Sequence, residues 1–169
     1  MSIPSYRAFI ALGSNLGDRL QYLSAALQRL GQVPGVALVQ VAPILETDPV
    51  GGPPQEPYLN TAAELSTTLA PRALLDALLS VERSLGRERS APCAPRTIDL
   101  DLLFYADAII NEPGLVVPHP RLHQRRFVLE PLAELDASLR HPVLNKTVEA
   151  LLQELPEATA SLSAHAEDA

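Results

Sequence analysis

Tyr6-Arg7-Ala8-Phe9-Ile10-Ala11-Leu12, closed by Gly13-Ser14-Asn15, is a run of apolar and β-prone residues that ends in turn formers. Such a run predicts a strand, and the same turn formers can cap the element that follows. Leu16, Leu20, Leu23, Leu27 and Leu30 then recur at helical spacing and stop at Gly31, which predicts an amphipathic helix of about four turns. Outward from this unit, Val36 to Ile44 is rich in Val and predicts a second strand, and Tyr58 to Thr67 predicts a third. Between them, Glu46 to Pro57 holds four prolines and two glycines, which excludes helix and central strand. Pro71 suits a helix start, and Leu74, Leu75, Leu78, Leu79, Val81 and Leu85 give that helix an apolar face before Gly86 ends it. Arg87 to Pro95 is polar and irregular, and Ile98 to Tyr105 is a strong strand with which Ala108-Ile109-Ile110 is expected to pair across a turn. Phe127 to Leu132 is a further short apolar segment, and Thr147 to Leu155 predicts a last helix. The order β-α-β-β-α-β predicts an α+β fold. It is that of a ferredoxin-like sandwich, an antiparallel sheet with both helices on one face, here with a C-terminal extension.

A chain of 169 residues suits one domain with a core of its own. That domain is expected over residues 1–169, with its core at about 6–155 and a small-residue tail at 156–169 that frays. Thirteen Lys+Arg against twenty Asp+Glu leave a net charge of −7. That balance disfavours a nucleic-acid partner, because non-specific binding to a polyanion is driven by counterion release at a basic surface. Cys93 is the single cysteine, so no internal disulfide forms, in keeping with a reducing compartment. The first dozen residues have no signal-peptide pattern, and no apolar run approaches the roughly 18 residues of a membrane span. The expectation is a cytoplasmic monomer whose partners are small molecules. Neither G-x-x-x-x-G-K-[ST] nor G-x-G-x-x-G occurs, so a bound nucleotide must be held in another way.

Chemistry concentrates in Pro95-Arg96-Thr97-Ile98-Asp99-Leu100-Asp101-Leu102-Leu103-Phe104. Residues two apart on a strand share a face, so Asp99 and Asp101 project together. Two adjacent carboxylates repel unless a cation lies between them, and Mg²⁺ suits a site of one or two carboxylates completed by water and phosphate. The other reading is a solvated strand face, or an ion pair with Arg96. Arg83, Arg87, Arg89, Arg96, Arg121, Arg125 and Arg126 all lie between Glu82 and Phe127, and guanidinium forks beside paired carboxylates suit a metal-bound triphosphate. Residues 83–96 hold four arginines and one acid, a local charge of +3 that leaves −10 for the rest of the chain. His119, flanked by Pro118 and Pro120, is a phosphate contact or a structural imidazole, and His123 reads as a surface residue. The stiff segment from Glu46 to Pro57 is either a surface connection or one wall of a small-molecule pocket. The carboxamide of Asn60 could read a heterocycle edge, with Tyr58 or Phe127 stacked on its face. Glu82 is as well explained by an i,i+4 pairing with nearby arginines as by a substrate contact.

In this order the pieces resemble the 6-hydroxymethyl-7,8-dihydropterin pyrophosphokinases of folate biosynthesis, from about Ala8 to Leu135. The resemblance rests on Ala11-Leu12-Gly13-Ser14-Asn15-Leu16-Gly17-Asp18-Arg19, Thr47-Asp48-Pro49-Val50-Gly51, Tyr58-Leu59-Asn60 and Glu82-Arg83-Ser84-Leu85-Gly86-Arg87. It continues through Pro95-Arg96-Thr97-Ile98-Asp99-Leu100-Asp101, Val117-Pro118-His119-Pro120-Arg121 and Phe127-Val128-Leu129. It implies transfer of diphosphate from ATP, the co-substrate, to the hydroxymethyl oxygen of the pterin, with AMP released. It further implies that Asp99 and Asp101 hold two Mg²⁺ ions. Thr47, Pro49, Val50, Tyr58, Asn60 and Phe127 match the pterin pocket. Glu82, Arg89, Arg96, Ile98, His119 and Arg125 match the ATP site, and Arg87 and Arg96 match catalytic positions.

Two departures stand out: Ala91-Pro92-Cys93-Ala94 lies where such proteins often carry a bulky aromatic, and Val50 stands where they usually have Leu. Two other classes are alternatives. One is a ferredoxin-like binding module without catalysis, which would have no reason to pair Asp99 with Asp101 beside four arginines. The other is a metal-dependent nucleotidyltransferase, which also uses Asp-x-Asp on a strand but would transfer AMP and release diphosphate.

Overall fold

β1 (Tyr6–Ser14) runs through the middle of the sheet in the computed structural model, which describes residues 3–47, 57–86 and 97–156. It pairs antiparallel with β4 (Tyr58–Thr67) on one side and β5 (Asp99–Tyr105) on the other. A strand covered on both faces needs apolar side chains at both parities, which Ala8-Phe9-Ile10-Ala11-Leu12 supplies. Ala8, Ile10 and Leu12 enter one core with Leu23, Ala26 and Leu30 of α1 (Arg19–Gly31) and Leu74, Leu78 and Val81 of α2 (Pro71–Ser84). Phe9 enters a second core on the opposite face, with Leu103, Phe104 and side chains of α3 (Arg126–Asp136) and α4 (Val148–Glu154). The βαββαβ unit keeps both of its helices on one face, as expected, and the C-terminal extension covers the other.

The sheet order is β2-β4-β1-β5, with β2 (Val36–Val41) and β3 (Leu45–Thr47) both pairing with β4. The single strand expected over Val36 to Ile44 is thus two strands laid end to end along β4. α1 begins three residues after Leu16, because Gly17 has φ +72° and Asp18 caps the helix by accepting the Gln21 N–H at 3.2 Å. Leu16 and Leu20 are exposed, so they contribute little of the roughly 1.5–3 kcal/mol that a buried Leu supplies.

Ala108-Ile109-Ile110 does not pair with β5. The chain leaves the sheet at Ala106 (φ +48°), and β6 (Ile110–Glu112) instead forms a hairpin with β7 (Leu115–Val117) about Pro113-Gly114. The apolar segment from Phe127 lies in α3, which holds Pro131 in its second turn. A short 3-10 turn (Leu122–Gln124) precedes α3, and a hairpin of β8 (Arg140–His141) with β9 (Lys146–Thr147) leads to α4. His123 is half-buried rather than on the surface, and its ring meets that of the buried His141 edge to face at 6.4 Å. Arg7 fastens the extension to the sheet, donating from Nε to Glu64 at 2.7 Å and from Nη2 to Asp136 at 2.9 Å. Among the described residues no helix is long and apolar enough to cross a membrane.

Candidate active site

Gly13, near the end of β1, lies opposite Asn60 on β4 and Asp99 on β5, and Ala11 lies opposite Ala62 and Asp101. Directly opposed residues share a face, so two rows cross the sheet: Asn60, Gly13, Asp99 and Ala62, Ala11, Asp101. Neighbouring strands are about 4.8 Å apart, so the Asn60 carboxamide on β4 and the carboxylates of β5 stand roughly 10 Å apart in backbone position, with the small residues Gly13 and Ala11 of β1 between them. Gly13 is required here. A Cβ on it would come within 2.9 Å of Asn60 Oδ1.

On the carboxamide side, Asn60 Nδ2 donates to Thr47 Oγ1 at 2.7 Å, and both residues are buried. This bond orients the amide and puts its oxygen toward Gly13. Tyr58 is half-buried one step out along β4, opposite Thr47. Phe127, also half-buried, lies in the first turn of α3, with the Arg125 guanidinium 5.7 Å from its ring centre, within cation–π range.

On the carboxylate side, Asp99 and Asp101 are both half-buried. β5 is an edge strand, and an open edge leaves backbone groups to be satisfied. Glu82, on α2 and 1% exposed, accepts the Leu100 N–H at 2.7 Å. The Leu103 carbonyl accepts the His119 N–H at 3.0 Å, about 7 Å along the strand from Asp101 by the rise of two residues. His119 follows a cis Val117–Pro118 bond, and its Nδ1 accepts the Arg121 N–H at 3.1 Å. Burial first, then Arg125 and Arg121, push the His119 imidazole down to about 4. The ring is therefore neutral near pH 7, with its proton on Nε2.

The structure thus brings Asp99, Asp101, Asn60 and Thr47 onto one sheet face, and ties Glu82 and His119 to the strand that carries the carboxylates. Ile98 does not join them: its side chain is fully buried in the core beneath α1 and α2. Glu82 reaches a backbone amide, which neither an arginine pairing nor an ATP contact had anticipated. Pro49, Val50, Arg87, Arg89 and Arg96 lie outside the described residues.

Among those residues no group of three His, Cys, Asp or Glu is placed to cage a metal. A pair of half-buried carboxylates fits Mg²⁺, which keeps water and substrate oxygens as its other ligands, better than a Zn²⁺ centre built from Cys and His. Two residues escaped the sequence reading. Gly13 carried no signal of its packing against Asn60. Arg19 stands in the first turn of α1, where the helix dipole disfavours a cation, and that misplacement was a readable sign of a partner elsewhere.

The profile of the family described as 7,8-dihydro-6-hydroxymethylpterin-pyrophosphokinase (HPPK) matches residues 9–137. The chain belongs to this family. It is 48% identical over 128 residues to the 2-amino-4-hydroxy-6-hydroxymethyldihydropteridine pyrophosphokinase of Bacillus subtilis, covering 76% of this chain and 77% of that one. It is 43% identical over 136 residues to the enzyme of the same name from Pseudomonas aeruginosa, covering 80% and 84%. Among solved structures it is similar to wild-type Plasmodium falciparum HPPK-DHPS with pterin and p-hydroxybenzoate. There the TM-score is 0.69 at 15% identity, over 89% of this chain and 42% of that one. At that identity the likeness bears on the fold, and this chain spans less than half of the Plasmodium protein. HPPK membership agrees with the resemblance read from the motifs, and the matched span brackets both rows of the site.

Proposed function

We propose that the two sides of this face divide the work of a pyrophosphokinase, with Thr47 on β3 and Asn60 on β4 holding the pterin and the Asp99 and Asp101 pair on β5 serving the triphosphate. The chain transfers diphosphate from ATP to the hydroxymethyl oxygen of 6-hydroxymethyl-7,8-dihydropterin, a step of folate biosynthesis, as its family does. The pterin oxygen bonds to the β-phosphorus, the bond from the α,β-bridging oxygen to that phosphorus breaks, and AMP leaves while the hydroxyl proton is lost. The observation that carries this reading is the register placing Asn60, Gly13 and Asp99 in one row.

Asp99 and Asp101 are the residues that would hold Mg²⁺, two ions by the family resemblance. When bound, the metal neutralises phosphate charge that otherwise repels the incoming oxygen. Glu82 and the His119 amide fix the strand beneath these carboxylates from its open side. The neutral His119 offers an Nε2–H to a phosphate oxygen without adding a formal charge. Arg125 adds positive charge beside it, and by the family resemblance Arg87, Arg89 and Arg96 also serve the nucleotide. Asn60, oriented by Thr47, presents its amide to the pterin edge, and Tyr58, Phe127, Pro49 and Val50 supply apolar walls. In phosphoryl transfer such alignment and charge stabilisation carry most of the catalysis, so no nucleophilic side chain is required, and Asp101 is the first candidate for receiving the hydroxyl proton. The partners proposed are the two small substrates, with a single chain supplying every residue named and the cytoplasm as the setting. Incubation with ATP, Mg²⁺ and the hydroxymethyl pterin should yield AMP and pterin diphosphate. ADP, free diphosphate or no turnover would overturn the proposal.

A further inference from the structure

The segment Gly13-Ser14-Asn15-Leu16-Gly17-Asp18-Arg19 is one of the motifs of the chain, yet Arg19 has no part in the roles above. Its Nη1 donates both to Glu46 Oε2 at 3.0 Å and to the Pro57 carbonyl at 2.7 Å. Glu46 precedes Thr47 and Pro57 precedes Tyr58, and Thr47 and Tyr58 are themselves register partners. One guanidinium therefore grips both chain segments at the end of the β3–β4 ladder. That ladder is weak by itself, since β3 has three residues and an edge position, and short edge pairings hold few backbone bonds. The two bonds are partly sheltered, with Arg19 25% and Glu46 35% exposed, so solvent screens them less than a fully exposed pair. The turn that aims Arg19 is itself specified. Gly17 takes φ +72°, where a Cβ would lie 3.1 Å from the Tyr22 ring, and Asp18 caps the helix at the next residue. A cation at a helix N-terminus opposes the dipole, and here the Glu46 carboxylate and the Pro57 carbonyl offset that cost.

We propose that Arg19 is a positioning residue for the pterin half of the site: by clamping Glu46 and Pro57 it holds β3 on β4 and so sets the Thr47–Asn60 pair. The inference rests on the reading of Thr47 and Asn60 as the pterin contacts. Arg19 itself touches no substrate in this account, and its loss acts through the ladder. It leaves the β1–β5 pairing that carries Asp99 and Asp101 unchanged.

The test compares wild type, Arg19→Met and Arg19→Lys. Calorimetry reads the Kd for 6-hydroxymethyl-7,8-dihydropterin and, separately, for a non-hydrolysable ATP analogue with Mg²⁺. Amide hydrogen exchange is followed at Tyr58, Leu59 and Asn60. For Arg19→Met the pterin Kd should rise about tenfold, equivalent to about 1.4 kcal/mol, with the ATP-analogue Kd within twofold of wild type and faster exchange at those three amides. Arg19→Lys, which keeps the charge and fits the paired acceptors less well, should fall between the two, and it carries the test if the Met variant does not fold. Wild-type pterin affinity in Arg19→Met, an equal loss for both ligands, or unchanged exchange at residues 58–60 would each overturn the clamp. A wild-type chain that binds no pterin at all would defeat the underlying site reading instead, and the exchange measurement would still decide whether Arg19 clamps the ladder.

Discussion

Replacing Gly13 by alanine sets a methyl carbon 2.9 Å from Asn60 Oδ1, at least half an ångström inside ordinary contact of about 3.5 Å. The backbone at Gly13 does not need glycine for its φ, and in such cases Gly→Ala stabilises by about 0.4–1 kcal/mol through the unfolded chain. Against that stands Asn60, which is buried and held through Nδ2 by Thr47 at 2.7 Å. Rotating the amide away from the new methyl group breaks this bond and leaves buried donors and acceptors without partners, at a cost of about 1–3 kcal/mol. The second effect is larger, so a net loss of about 1 kcal/mol is expected, or about 2–4 °C in Tm for a chain of this size. The misdirected amide should also raise the pterin Kd about tenfold or more, the equivalent of one lost hydrogen bond of about 1.4 kcal/mol. Affinity for an ATP analogue should hardly move, because Asp99 lies across the strand on the far side of Gly13. Denaturant unfolding and calorimetry on Gly13→Ala measure all three quantities. A variant at least as stable as wild type, with unchanged pterin affinity, would show that Gly13 is not needed to seat Asn60.

Two further outcomes are expected. Glu82→Leu leaves the Leu100 N–H without its carboxylate acceptor and should destabilise by about 1–3 kcal/mol, while Glu82→Gln, which keeps an acceptor oxygen, should lose less; equal unfolding midpoints for wild type and Glu82→Leu would contradict the pinning of β5. His119 should titrate by NMR near 4 in the folded chain against the ordinary 6.5. Between those values the unfolded chain binds the extra proton, so this contribution to stability is complete above pH 6.5 and is lost as pH falls toward 4. Replacing His119 by Gln should remove that part of the pH dependence, and a folded-state midpoint above 6 would contradict the burial argument.

The parts of the fold legible in the sequence are those where one physical signal dominates. β4 is bounded by Pro57 and the turn after Thr67, so its expected span, Tyr58 to Thr67, is also the observed one. α2 lies between Pro71 and Gly86, and the strong apolar run to Tyr105 marks β5. The failures have equally specific causes. Leu16 and Leu20 continue the α1 periodicity, yet the left-handed Gly17 and the Asp18 cap start the helix later. The Pro113-Gly114 turn outweighed the apolar character of residues 108–110. Pro131 concealed α3, although in the second turn it forfeits one backbone bond while Val128, Leu129 and Leu132 bury on the second core. For the site, side-chain parity on β5 was enough to pair Asp99 with Asp101. The row through Gly13 and the identity of the partners of Arg19 depend on register and on contacts between distant segments, which no local pattern in one sequence records.

If one sheet face carries separable pterin and triphosphate halves, Asp101→Ala should part turnover from pterin affinity when both are measured on the same sample. Turnover to AMP and pterin diphosphate should fall on the order of 10³-fold, the scale seen when one group that stabilises transition-state charge is removed. The pterin Kd should stay close to wild type, because Asn60 and Thr47 keep their bond. A loss of pterin affinity as large as the loss of turnover would show that the carboxylates shape the pterin pocket, and the division of the face would be wrong.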